Sequence, residues 1–272
     1  MNEFDGASMK KIGQGEDAEI FTLDGRRVLK LFFPHHRDLA EPEADITRRV
    51  QQVGLPAPQV NRTVEWDGRR GILFDGFDEG QTLRRWVRTN PWMFFQAART
   101  VAELQAAIHT RSVSSLPSQR AELARQIQEA AVLSAGMKDA ALAALERLPD
   151  GHAVCHNDLH LNNIIVTSQR SVVIDWVLAA HGHPLSDVAR TCLMLRLGVL
   201  PANPLASAAL RVMRAAFERA YLAGYFQLRP GSIEAVRAWE LPVAAALVSR
   251  RTIPMQRDQL LAVVAQHLNG RS

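Results

Sequence analysis

The stretch HNDLHLNNIIV, His156 to Val166, crowds two histidines, one aspartate and three asparagines into eight positions and then turns apolar. It reads as a polar loop capping a strand, as a histidine metal site, or as a reaction centre. His152, His156 and His160 recur every fourth residue, and on a helix they would share one face as metal ligands. The local pattern opposes a helix. HExxH is absent, and the β-branched flanks with alternation into IIV favour strand and turn. A loop of purely structural purpose stays open, because Asn and Asp commonly cap strands. The third reading joins Asp158 and Asn163 to Asp175, which ends the apolar run SVVI. A hairpin of residues 164–167 with 171–174 would bring Asn163 and Asp175 to the same end, both facing Asp158. An amide and a carboxylate converging as hard oxygen donors suit Mg²⁺, which keeps few protein ligands and completes its shell with phosphate oxygens. The remaining carboxylate, Asp158, would orient a hydroxyl and take its proton as it attacks phosphorus.

That chemistry makes demands elsewhere in the chain: a flexible loop over the phosphates and a lysine on a nearby strand. Near the start, IGQGEDAEIF offers Gly13 and Gly15 between strands, although paired glycines alone are common in hairpins. Lys30 interrupts the apolar run VLKLFF. Lysine occurs only at positions 10, 11, 30 and 138, so a lysine set among core residues is informative; the simpler alternative is an edge-strand lysine snorkelling to water. A buried ammonium needs a counter-charge, and Glu43 on the following segment is the best placed.

Apolar runs broken at Asp24-Gly25 predict a β-hairpin, and Asp67-Gly68 predicts a second. Between them Ile46, Val50 and Val53 keep a helical interval that ends at Gly54. From Asn90-Pro91 onward the pattern is helical, with Asn90 as cap, Pro91 at the first position and Val101, Leu104 and Ile108 on one face. RSVSSLPSQR reads as a loop before two helices separated near Gly136. Only residues 153–177 break this with short strands. The expectation is an α+β chain: a β-rich first part, residues 1–77, and a larger helical part, residues 78–272.

The 272 residues, 47% of them apolar, suffice for one large domain or two unequal lobes. There is no apolar run of about 18 residues and no apolar leader after MNEFDGASMKKIG, so neither a membrane span nor a secretion signal is expected, and the chain reads as cytoplasmic. Cys155 and Cys192 lack CxxC spacing and read as packing residues. Net charge is +4. After Trp176 eleven arginines face five acids, a balance that could attract an anion, but no nucleic-acid reading motif accompanies it and none is expected as partner.

The sequence resembles the aminoglycoside phosphotransferase and choline kinase-like family, relatives of the eukaryotic protein kinases. HNDLHLNN is similar to the family loop H-G-D-x-H-x-x-N, and VVIDWVLAAHGHPLSDVAR to its I-D-[WF] segment followed by D-[LV]-A-R. Weaker matches are IGQGEDAEIF, VLKLF, EPEADITRRVQQVGLPAP, GILFDGFDEGQTL and LQAAIH, so that residues 12 to about 195 are covered. The resemblance implies a bilobal protein-kinase-like fold and an ATP- or GTP-dependent, Mg²⁺-requiring kinase of a small-molecule hydroxyl. It implies Asp158 as base, His156 as organiser of its loop, and Asn163 and Asp175 as metal ligands. It also implies Lys30 with Glu43 on the α- and β-phosphates, Gly13 and Gly15 over the phosphates, and the Asp75 carbonyl with the Phe77 N–H on the purine edge. Asp187 would accept N–H bonds from the loop of Asp158. Three positions depart from the pattern: Asn157 for glycine, Ala18 for a third loop glycine, and Val177 for glutamate. The rival readings are a nucleotide-binding regulator without catalysis and a histidine-based metal hydrolase.

Overall fold

The structure, a computed structural model, describes residues 9–23, 27–76, 80–249 and 254–269. The chain forms two compact units, Met1–Thr89 with Leu161–Leu178, and Asn90–His160 with Ala179–Ser272.

The first unit is built on an antiparallel sheet of five strands: β1 (Met9–Gln14), β2 (Ala18–Leu23), β3 (Arg27–Phe32), β4 (Val60–Trp66) and β5 (Arg69–Asp75), in the order β1-β2-β3-β5-β4. The pair β2–β3 is the first expected hairpin, with Leu23 opposite Arg27; its Asp24-Gly25 turn lies outside the described residues. The segment before it is a third strand, β1; the turn into β2 falls at Gly15, and Gly13, expected between the strands, lies within β1. At the second hairpin Asp67 and Gly68 both have positive φ, 49° and 69°, the conformation that a tight two-residue turn between twisted strands demands.

Alternation along β3 fixes where Lys30 goes. Val28 and Phe32 belong to the cluster that packs on helix α1 (Ala40–Gln52), with Ala18, Ala40, Ala44 and Ile72. Leu29 and Leu31 belong to the opposite cluster with Leu23 and Leu73. Successive side chains leave opposite faces of a strand, so Lys30 points to the α1 face. On α1 the buried stripe is Ala40, Glu43, Ala44, Thr47 and Val50, a helical repeat that carries a glutamate in its middle. Ile46 and Val53, expected on this face, are only half-buried. The helix ends at Gly54, φ 77°. Leu55 N–H reaches the Val50 carbonyl and Gly54 N–H the Gln51 carbonyl, a Schellman cap that needs the left-handed glycine.

The same unit takes in β6 (Gln81–Thr82), helix α2 (Leu83–Thr89) and a hairpin from the middle of the chain. The three strands form a sheet in which β6 pairs with β8 (Ile164–Val166), and β8 with β9 (Ser171–Val173). The Val173 N–H also bonds the Pro56 carbonyl at 2.7 Å. Packing therefore carries the first unit past residue 77 and threads residues 161–178 into it.

The second unit is helical. Helix α3 (Phe94–Ile108) packs along α7 (Pro204–Leu228). Pro91 starts a short 3-10 turn before α3, while Asn90 makes no side-chain cap bond. Helices α4 (Gln119–Glu129) and α5 (Ala135–Arg147) are capped by the Ser118 and Ser134 hydroxyls. Their separation therefore falls at 130–134, and Gly136 lies inside α5 rather than between the two. Strands β7 (Ala153–Cys155) and β10 (Ala180–Gly182) pair. Helix α6 (Pro184–Arg196) follows β10, and α8 (Ile233–Ala238), α9 (Glu240–Leu247) and α10 (Pro254–Asn269) complete the order. Helix α9 is buried at every residue, with α4, α5, α6 and α10 against it. No described helix is long and apolar enough to cross a membrane.

Candidate active site

In the first unit the ammonium of Lys30 lies 2.7 Å from each oxygen of Glu43 and 3.0 Å from Asp175 Oδ1. Burial disfavours this ammonium, but the attraction of Glu43 and Asp175 outweighs it and holds Lys30 above the ordinary lysine range. For Glu43, burial pushes the carboxyl up while Lys30 pulls it down. With both oxygens at hydrogen-bond distance from one ammonium, the two form an ion pair. Lys30 is thus a sheltered cation and not an edge residue reaching for water. Asp175 has a left-handed backbone, φ 66°, and leaves its side chain 37% exposed. The Ile174 N–H bonds the Asn163 carbonyl at 2.9 Å, extending the β8–β9 ladder by one step. Asn163 and Asp175 therefore flank the same end of that hairpin, and Asn163 is buried.

Gly13 lies in β1 at an irregularity of its pairing with β2, and the Gly15 N–H closes the turn onto the Ala18 carbonyl at 2.8 Å. Ala18 itself is core, which accounts for a methyl side chain at the position of the third loop glycine. Asp75 ends β5, exposed, its N–H on the Gln59 carbonyl. Phe77 lies outside the described residues.

In the second unit the segment after β7 is a turn, so His152, His156 and His160 do not share a helix face: His152 is exposed and His156 buried. The His156 ring serves the loop instead, its Nδ1 accepting the Asp158 N–H at 3.1 Å. Asp187, in the first turn of α6, accepts the N–H of His156 at 3.0 Å and that of Asn157 at 2.7 Å. Burial would raise its carboxyl, but the hydrogen bond from His109 and the charges of His109 and His156 hold it down at about 2. Asn157 stands at φ 59°, a conformation that glycine adopts freely and asparagine tolerates. Its Oδ1 accepts from Gln119 Nε2 at 2.7 Å. A Cβ on Gly182 would overlap Gln119, so that glycine makes room for the contact.

The Asp158 carboxylate has the guanidinium of Arg190, Nη2 at 3.7 Å, and the imidazole of His160, Nε2 at 3.7 Å, as neighbours. The sequence reading noticed DVAR as a helix start but gave Arg190 no role. The signal was its place, one turn beyond Asp187 on the same face of α6. Gln119 and Thr191, which also reach this loop, carry no motif at all. Among the described residues, His109, Cys155 and Asp187 cluster closely enough to suit a metal. Asp187 already accepts three hydrogen bonds there, and burial keeps Cys155 a thiol, so the group is polar core.

The family model described as the phosphotransferase enzyme family matches residues 8–230. The chain belongs to that family. A search of curated proteins found no match. Among solved structures, a thermostable mutant of an aminoglycoside phosphotransferase, APH(4)-Ia in its apo form, is 19% identical with a TM-score of 0.65 over 97% of both chains. The streptomycin–ATP complex of another, APH(2")-IIa, is 15% identical, TM-score 0.59, over 95% of this chain and 91% of that one. Choline kinase from Cryptosporidium parvum is 14% identical, TM-score 0.58, over all of this chain and 90% of that one. The fold of this phosphotransferase is the protein-kinase-like α+β fold that its motifs imply, and the family is one of phosphotransferase enzymes.

Proposed function

We propose that this phosphotransferase moves the γ-phosphoryl group of ATP or GTP to a hydroxyl of a small molecule, with residues 1–77 holding the nucleotide and residues 78–272 supplying the base and the acceptor site. The observation that carries the reading is the sheltered Lys30 with Glu43 on one side and Asp175 on the other. A buried ion pair is poor stabilisation for a small sheet, whereas an ammonium fixed by a glutamate is well placed to hold the α- and β-phosphates. Gly13 and Gly15 leave the first hairpin without side chains that would obstruct a triphosphate. The Asp75 carbonyl and the Phe77 N–H would read the purine edge.

The donor chemistry at the end of the β8–β9 hairpin fits Mg²⁺, since Asn163 and Asp175 offer hard oxygens and Asp175 is open to solvent. When bound, the ion would neutralise charge on the phosphates. Asp158 acts as base. The acceptor oxygen bonds to the γ-phosphorus as the bond to the β,γ-bridging oxygen breaks, the hydroxyl proton passes to Asp158, and the nucleoside diphosphate leaves. His156 keeps its loop in shape.

The structures of similar fold are named aminoglycoside phosphotransferases and a choline kinase, whereas the part of this chain after Trp176 is rich in arginine, so sugars, macrolides and amino alcohols stand beside aminoglycosides as candidates. The test is Mg²⁺-dependent consumption of ATP and of GTP across those four classes. Wild type is expected to turn over with one class, and Asp158→Asn to lose turnover while still binding nucleotide and unfolding at the wild-type temperature. Turnover retained by Asp158→Asn overturns the assignment of the base, and failure with all four classes overturns the acceptor set.

A further inference from the structure

Two buried hydrogen-bond chains leave α7 and end on either side of Asp158. In the first, Tyr221 Oη donates to Gln105 Oε1, Gln105 Nε2 donates to Thr191 Oγ1 at 3.2 Å, and Thr191 Oγ1 donates to the Leu159 carbonyl at 3.2 Å. In the second, Tyr225 Oη lies 2.7 Å from His109 Nδ1 and His109 Nε2 lies 3.0 Å from Asp187 Oδ2. Asp187 then takes the N–H groups of His156 and Asn157. Each helix contributes its two members four residues apart: 221 and 225 on α7, 105 on α3 with 109 at its C-cap, 187 and 191 on α6. That interval is about one helical turn, so the chains run side by side across three helices. All six side chains are buried.

Six buried polar side chains are an unusual way to fill a helical core, because each is unfavourable unless bonded. Here each is bonded, and every donor of the first chain points toward the loop. The loop has reason to be held: Asn157 is left-handed at φ 59°, a state that persists only where its surroundings over-determine it. The second chain fixes the backbone before Asp158, and the first fixes the residue after it.

We propose that Tyr221, Gln105 and Thr191 are positioning residues for phosphoryl transfer: through the Leu159 carbonyl they hold the backbone from which the Asp158 carboxylate is presented to the acceptor. The proposal rests on the reading of Asp158 as base. The direct variants are Thr191→Val, which keeps the shape and removes the hydroxyl, Thr191→Ser, which keeps the hydroxyl, and Tyr221→Phe.

Two measurements on the full chain decide it: kcat and KM for Mg²⁺-dependent ATP hydrolysis with water as acceptor, and backbone hydrogen exchange over residues 156–160. Thr191→Val is expected to lower kcat roughly tenfold with KM for ATP nearly unchanged, as a misplaced base does, and to speed exchange at 156–160 more than elsewhere. Thr191→Ser restores both. Tyr221→Phe combined with Thr191→Val is no worse than Thr191→Val alone, because one chain can be broken only once. Wild-type exchange at 156–160 in Thr191→Val, additive losses in the double variant, or a Thr191→Ser variant as impaired as Thr191→Val each overturn the proposal. Failure of the Asp158 reading shows differently, as full turnover by Asp158→Asn.

Discussion

Lys30 Nζ sits 2.7 Å from both carboxylate oxygens of Glu43, and neither side chain has more than 14% of its surface exposed. Removing the Glu43 charge leaves the buried Lys30 with only the partly exposed Asp175 as charged partner. Glu43→Gln is therefore expected to destabilise the protein by about 3 kcal/mol, read from urea unfolding. Replacing both, Lys30→Met with Glu43→Leu, should cost less than the single change, because no buried charge is left alone. A double variant as unstable as the sum of the singles would show that the pair is not acting as one unit. Nucleotide binding should behave in the opposite way: Lys30→Ala alone is expected to weaken ATP roughly tenfold to hundredfold, the range of a lost charge-assisted hydrogen bond, and the double variant should not recover it.

Asn157 tests the departure from the family glycine. Its φ of 59° is unfavourable for a side chain with a Cβ, and the bond from Gln119 to its Oδ1 offsets this. Asn157→Ala keeps the strain and loses the bond, so a loss of about 1 to 2 kcal/mol is expected. Asn157→Gly loses the bond but relieves the strain, and should stay within about 1 kcal/mol of wild type. If thermal unfolding ranks alanine at or above glycine, the strain is not what shapes this position.

What could be read from the sequence follows from range. The Asp67-Gly68 turn, the Gly54 cap and the β8–β9 hairpin were legible because their causes lie within a few residues. The pairing of Lys30 with Glu43 was legible across thirteen residues because an ion among core residues requires a partner. Asp175, 145 residues on, was expected at the same phosphate site as this lysine from the chemistry the two would share, while their direct contact has no local signal at either residue. The same holds for Gln105 and Thr191, ordinary residues on amphipathic helices until packing brings them together. The break expected near Gly136 falls at 130–134, and it is the capping Ser134 rather than the glycine that marks its end.

Both cysteines are buried and unpaired with each other. Burial raises both thiols well above their ordinary range, and the thiolate is the reactive form. Native protein should therefore resist alkylation by iodoacetamide at neutral pH, and both sites should label after urea unfolding, as counted by mass spectrometry. Rapid labelling of Cys155 in the native protein would mean that the segment before the Asp158 loop opens readily.

Asp187 gives the protein an acid limit. Its carboxyl is held at about 2 in the folded chain, against about 3.9 for a free aspartate. A depressed carboxyl contributes stability that is complete above the unfolded value and disappears as pH falls through the folded one. The window is therefore pH 4 down to pH 2, and the size is about 2 to 3 kcal/mol. Other carboxylates titrate there too, so the useful quantity is the difference between wild type and Asp187→Asn. The amide cannot accept three hydrogen bonds from His156, Asn157 and His109 while placing its own N–H groups among them, so the variant should be less stable by a few kcal/mol at pH 7. That gap should narrow by about 2 to 3 kcal/mol between pH 5 and pH 2, as protonation removes from wild type what the substitution removed already. Urea midpoints across this range measure it, and a gap that stays constant with pH would mean that the Asp187 carboxylate is not held in its ionised form by the loop and His109.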